Sequence, residues 1–244
     1  MSEWELKKNE HKEKLQPRTV IYGEPKIGKS TFGSEAPNPV FIPTEDGISA
    51  LNVMQLPSDR ICATWDDVLK AVATLIKVEH DRKWVIIDTI SGVWDLCAQH
   101  VCDRDFGGVW EARKGSEGFN SFAKGEKATA MEFKRILAGL DKLRNERGMG
   151  CILLAHEQIH KVRNDYGEDF YTTGAHMGTR SWHVLKSWAD HIGYACRDFV
   201  VQENPRQGQK GAKAIAKNNK RWLVFDGGPG RDAGGRAGYD MPDR

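Results

Sequence analysis

Two kinds of apolar pattern alternate along the chain. Short, nearly unbroken apolar runs occur at 18–22, 40–44, 84–88 and 150–155. A run such as Trp84-Val85-Ile86-Ile87 suits a strand buried on both faces of a parallel sheet. Between the runs lie longer stretches with helical spacing. Val68, Val72, Leu75 and Ile76 form an apolar stripe in 64–79, and Thr64 and Asp67 have capping-box spacing at its start. Further helices are expected from Ser91 to about Asp105 and from about Glu126 to Arg147. Polar segments at 107–125 and 156–180 read as long loops. Beyond them, 191–196, 199–202 and 221–225 read as short strands of an antiparallel extension. Strands alternating with helices predict an α/β fold with a mainly parallel central sheet. The expected organisation is a charged N-terminal arm over 1–16, a core over 17–226 and a glycine- and arginine-rich tail over 227–244. The arm reads as a solvated segment or as one that packs on a neighbouring subunit.

Composition narrows the class. With 244 residues, 39% hydrophobic and 29% charged, the chain fits one large globular domain able to bury a core without staples. A formal net charge of +2 excludes a polycation, so any nucleic-acid binding must come from a local basic patch. Cys62, Cys97, Cys102, Cys151 and Cys196 are scattered and form no C-x-x-C pair, the pattern of reduced thiols. No apolar run approaches the roughly 20 residues that span a bilayer. The polar start of the chain does not read as a secretory signal. A cytoplasmic protein with no membrane partner is expected.

The most specific motif is Gly23-Glu24-Pro25-Lys26-Ile27-Gly28-Lys29-Ser30, which matches G-x-x-x-x-G-K-[ST] in full. Glycines let the backbone curl so that several N–H groups face one phosphate. A helix opening at Ser30, Thr31 and Phe32 would add the favourable end of its dipole. Lys29 is placed for the β- and γ-phosphates and the Ser30 hydroxyl for magnesium. ATP and Mg2+ are therefore the expected ligands. Such a site needs a carboxylate at the tip of a neighbouring strand, and Asp88 supplies one after four apolar residues. It also needs a group to activate or polarise water. Glu45 and Asp46 compete at the end of the run 40–44, with Glu45 favoured. The ordinary alternative is that Glu45 is merely an acid at the start of a helix over 47–53.

The stretch Phe41-Ile42-Pro43-Thr44-Glu45-Asp46-Gly47 resembles the strand that carries the catalytic glutamate in RecA-type ATPases. The phosphate loop, Asp88 and the strand Cys151 to Ala155 follow in the RecA order. More closely, the chain resembles small phage-encoded RecA-like ATP-binding proteins, among them single-strand annealing proteins of the Sak type. Trp188 to Ala195 and Gly234 to Pro242 fit that group's C-terminal pattern, and the resemblance covers about 18–242. It implies a RecA-like P-loop NTPase core, ATP and magnesium, a homo-oligomeric ring or filament, and single-stranded DNA as ligand. A single-strand-binding protein is a further candidate partner, and the compartment is the bacterial host cytoplasm. By position it implies that Lys29 and Ser30 hold phosphate and metal, Asp88 organises the metal and Glu45 activates water. His156 falls where the family places a polar γ-phosphate sensor, although RecA itself has glutamine there.

His156-Glu157-Gln158-Ile159-His160 also reads H-E-x-x-H, a zinc-peptidase signature that requires a helix. The run Cys151 to Ala155 is better explained as a strand, and no third ligand stands at a familiar spacing. For single-stranded DNA, cations and aromatics on long loops are the expected mixture. The first loop offers Arg113 and Lys114 with Phe106, Trp110 and Phe119. The second offers Lys161 and Arg163 with Tyr166, Phe170 and Tyr171. The alternatives are mobile surface loops or a lid over the nucleotide. Lys220 and Arg221 close a basic run that is either a solvated face or a source of a cation acting in trans on a neighbouring nucleotide, with Arg231 and Arg236 as rivals. The expected function is an ATP-dependent, DNA-stimulated ATPase that anneals or exchanges single strands in phage recombination. A nucleotide-switched loader or scaffold and a helicase-type motor are the rivals.

Overall fold

The computed structural model describes residues 15–111, 117–162, 167–203, 212–228 and 230–236; for 199–203 and 212–219 it describes the backbone alone. Most of the arm, 1–14, and the end of the tail, 237–244, lie outside the described residues. The chain folds into β1 (Arg18–Gly23), α1 (Lys29–Ser34), β2 (Pro39–Pro43), β3 (Met54–Gln55), α2 (Trp65–Lys77) and β4 (Trp84–Asp88). Then follow α3 (Ile90–Phe106), a 3-10 turn at Ser121–Ala123, α4 (Lys124–Arg147), β5 (Gly150–Val162) and β6 (Phe170–Ala175). The remaining elements are α5 (Thr179–Trp188), β7 (His191–Glu203), β8 (Ala212–Val224) and β9 (Gly234–Gly235).

The sheet runs β3-β2-β4-β5-β1-β7-β8, with β6 on β5 and β9 on β7. The pairs from β3 through β7 along this path are parallel, whereas β5–β6, β7–β8 and β7–β9 are antiparallel. The expected α/β architecture, a mainly parallel sheet with an antiparallel C-terminal extension, is what forms. Alternation along each strand sends residues to two cores. Val85 and Ile87, with Val20, Val40 and Leu153, face a large core shared with α2, α3, α4 and α5. Ile86, with Ile21, Phe41 and Leu154, faces a smaller core on the side of α1. Burial on both faces explains why these runs carry no polar alternation. At the start of α2 the Thr64 hydroxyl accepts from the Asp67 N–H, and the Asp67 side chain accepts from the Thr64 N–H. This reciprocal cap contributes about 1 kcal/mol.

Three expectations change. Residues 47–53 form no helix, and Ile48, Leu51 and Val53 pack instead against the smaller core. The segment 156–180 is not a long loop: β5 continues to Val162 and turns back as β6, and α5 begins at Thr179. The C-terminal strands are longer than their apolar patches, because β7 and β8 form one antiparallel ladder of thirteen-residue strands.

Candidate active site

Parallel pairing brings the C-terminal ends of β1, β2, β4 and the middle of β5 to one edge. Gly23 pairs with His156, Pro43 with Asp88, and Asp88 with Leu154. The residues that follow these positions therefore meet. Two threonines fasten the ends of β2 and β4 together. Thr44 donates its N–H to the Asp88 carbonyl at 2.8 Å and its hydroxyl to the Thr89 carbonyl at 2.9 Å. Thr89 N–H donates back to the Thr44 hydroxyl at 2.9 Å. The clasp requires Gly92, where a Cβ would stand 2.3 Å from the Thr44 hydroxyl.

The phosphate loop turns through Gly28, whose φ of 107° lies in the left-handed region that glycine permits. Lys29 is buried, and its ammonium donates to the Gly23 and Glu24 carbonyls, both at 2.9 Å. Burial pulls its pKa down, and Asp88, Glu45, Glu157 and Glu24 oppose that fall by attraction. Asp88 is 1% exposed. Burial raises its pKa, while a hydrogen bond from Ser30 and the charge of Lys29 pull the other way. One Asp88 oxygen, Oδ2, is buried with no hydrogen-bond partner. Gly47 closes over the same point: a Cβ there would lie 3.8 Å from both Asp88 Oδ2 and Ser30 Oγ.

An unpartnered carboxylate oxygen beside a hydroxyl is an oxygen donor set that fits a hard divalent cation. Ser30 and Asp88 are therefore the residues that could hold Mg2+. Glu45 is half-buried, and both its oxygens lie within reach of His156 Nε2, at 3.0 and 3.1 Å. That hydrogen bond, followed by the charges of His156 and Lys29, holds the Glu45 pKa below the usual carboxylate range. Asp46 is exposed. With no helix over 47–53, the reading of Glu45 as a helix-start acid has no structural basis.

Some neighbours were invisible in the sequence. Glu157 follows His156 on β5, interacts electrostatically with Lys29 and accepts a hydrogen bond from Tyr194. Arg197 on β7 forms an ion pair with Glu24 at 3.0 Å. Arg221, expected as a trans-acting cation, lies on its own phosphate loop and donates to the Ile27 carbonyl at 3.2 Å. Lys220 is exposed. The H-E-x-x-H segment lies on β5 as strand, which puts its histidines about 13 Å apart at strand rise. One is engaged by Glu45, and His160 Nε2 lies 3.2 Å from the Ala175 carbonyl.

The expected DNA residues fare differently. Arg113, Lys114 and Arg163 lie outside the described residues. Lys161 forms an ion pair with Asp169 at 2.8 Å across the β5–β6 hairpin. Phe106 and Trp110 pack on the buried Phe119, with ring centroids at 5.7 and 4.6 Å. Phe170 and Tyr171 on β6 are exposed.

The fold and the loop motif define a P-loop NTPase. The profile of an AAA domain matches residues 15–237, and the chain belongs to that family. A nucleotide, accompanied by Mg2+, is the ligand this membership implies. No curated protein matches the chain. Among solved structures, "Crystal structure of the RadB recombinase" is similar at 12% identity and a TM-score of 0.44, over 74% of this chain and 76% of that chain. Among the described residues, no helix is long and apolar enough to cross a membrane.

Proposed function

We propose that the chain is a RecA-like ATPase that binds single-stranded DNA and uses ATP to anneal or exchange strands in phage recombination. It would work as a homo-oligomeric ring or filament in the bacterial host cytoplasm, alongside a single-strand-binding protein. The observation that carries this reading is the meeting of Lys29, Ser30, Asp88 and Glu45 at one sheet edge, with His156 on the strand that becomes the β5–β6 hairpin. In this reading the curled loop from Gly23 to Thr31, through Pro25 and Lys26, surrounds the phosphates with N–H groups. Lys29 leaves its two loop carbonyls for phosphate oxygens, which replace them as charged acceptors. Ser30 and Asp88 would hold Mg2+, which would supply neutralising charge at the phosphate oxygens. Glu45 orients water and takes its proton, and the His156 N–H fixes the carboxylate's direction.

β5 links the two halves of this proposal. Four residues separate His156 at the phosphate edge from Lys161 in the hairpin, and the His156 carbonyl accepts the His176 N–H at 2.7 Å, just past the end of β6. A shift of His156 toward a γ-phosphate would therefore move both strands of the hairpin. Arg163, Arg113 and Lys114, outside the described residues, are the remaining candidate DNA contacts.

A nucleotide-switched loader is the second reading, favoured by the Glu45–His156 bond, since an engaged carboxylate is a weaker base. The two readings and the DNA claim separate in one titration. Fluorescent single-stranded DNA is titrated with protein at rising salt, with and without Mg-ATP, and phosphate release is followed in parallel. ATP-dependent, salt-sensitive binding with stimulated release supports the ATPase reading. Binding without stimulated release favours the switch, and no salt-sensitive binding removes DNA from the proposal.

A further inference from the structure

A cleft of about 260 Å³ opens beside the phosphate loop, on the side of the sheet that α1 covers. Its apolar part comes from Ile21, Ala195 and Leu223, which belong to the smaller core and its margin. Its rim carries two planar groups. Phe32, the fourth residue of α1, is 47% exposed and lines the cleft with Ile21 and Leu223. Arg221 reaches in from β8, and its Nη1 lies 2.8 Å from where a Cβ on Gly28 would stand. Its guanidinium is held there by the Ile27 carbonyl. Thr31 and Glu35 add hydrogen-bonding groups to the same lining.

We propose that this cleft takes the base and ribose of a purine nucleotide, with the Phe32 ring and the Arg221 guanidinium as its stacking surfaces. The inference rests on the reading of the phosphate loop as an ATP site and adds the part of the ligand that the loop does not address. The chemistry is matched. A base offers a flat apolar face with polar edges, and aromatic rings and guanidinium planes are the side chains that stack on it. Position is matched too, since Gly28 and Lys29 line the cleft and the phosphate loop at once. The proposal makes Arg221 a cis residue of its own nucleotide site. The sequence had offered it as a cation for a neighbour's site.

The test compares ATP with tripolyphosphate, which has the phosphates and no base. Calorimetric affinities are measured for the full chain and for Phe32→Ala, Phe32→Trp and Arg221→Ala, with thermal unfolding confirming that each variant folds. ATP affinity should fall about tenfold in Phe32→Ala, the order of one lost stacking contact, and Phe32→Trp should keep it. Tripolyphosphate affinity should stay within about twofold in both Phe32 variants, and Arg221→Ala, whose cation also stands on the phosphate loop, should weaken ATP more than tripolyphosphate. Equal losses for both ligands in Phe32→Ala, or no loss for ATP there, would overturn the base subsite while leaving the phosphate loop intact. Failure of the unaltered chain to bind either ligand would instead remove the ATP reading itself.

Discussion

β5 joins two regions whose polar groups are engaged in different ways. At the phosphate edge, Asp88 Oδ2 and one Glu157 oxygen are buried with no hydrogen-bond partner among the described residues, and the Lys29 ammonium donates to carbonyls of its own loop. A few residues later on the same strand, Lys161 is already neutralised by Asp169. In the first loop, Phe106 and Trp110 are already packed on Phe119. The first region leaves costly buried groups unsatisfied, which a protein tolerates where a ligand completes them. In the second, Lys161, Phe106 and Trp110 already have partners within the chain. Composition alone treated the two regions alike, and the geometry separates them.

This contrast can be broken by substitution. The largest effect is expected for Lys29→Ala, which removes a cation attracted by Asp88, Glu45 and Glu157. ATP turnover should fall about 10²–10³-fold, as when a single charge-stabilising group is lost from an active site, and a steady-state phosphate-release assay reads it. Turnover within threefold of the parent would mean that the acidic cluster does not work through Lys29. Lys161→Ala should change far less. An exposed ion pair contributes less than about 1 kcal/mol, and a cation already paired gives little to DNA, so stability and strand affinity should both stay close to the parent. A steep loss of salt-dependent DNA binding in this variant would show that Asp169 releases Lys161 to the ligand.

The smallest effect sharpens the Glu45–His156 pair. His156 holds the Glu45 pKa down, so the pair stabilises the fold above the unfolded carboxylate value. That contribution is lost as pH falls through the depressed folded value. His156→Ala should let the Glu45 titration, followed by carboxylate NMR, move up toward the ordinary value of about 4.3. An unmoved titration would mean that Lys29, not His156, sets the charge of Glu45.

What could be read from the chain follows from the same physics. The phosphate loop was legible because few residue types allow its backbone, and Asp88 because a doubly buried strand that ends in a carboxylate is distinctive. The hairpin was not legible. Beyond His156, β5 leaves the packed part of the sheet and Ile159 is exposed, so no apolar alternation marks it as strand. Residues 47–53 misled for the opposite reason: Ile48, Leu51 and Val53 are apolar because they cover the smaller core without forming a helix. The clasp of Thr44 and Thr89 and the approach of Glu157 and Arg221 join residues far apart in sequence. No local pattern announces them.

The central claim is that Glu45 activates water at a site built by the phosphate loop and Asp88. The direct measurement is single-turnover ATP hydrolysis by the parent and Glu45→Gln at saturating Mg-ATP, with affinity measured on the same samples. The account predicts unchanged affinity within about twofold and hydrolysis slowed by about 10²-fold, as for loss of a positioned base. Full hydrolysis by Glu45→Gln would contradict it.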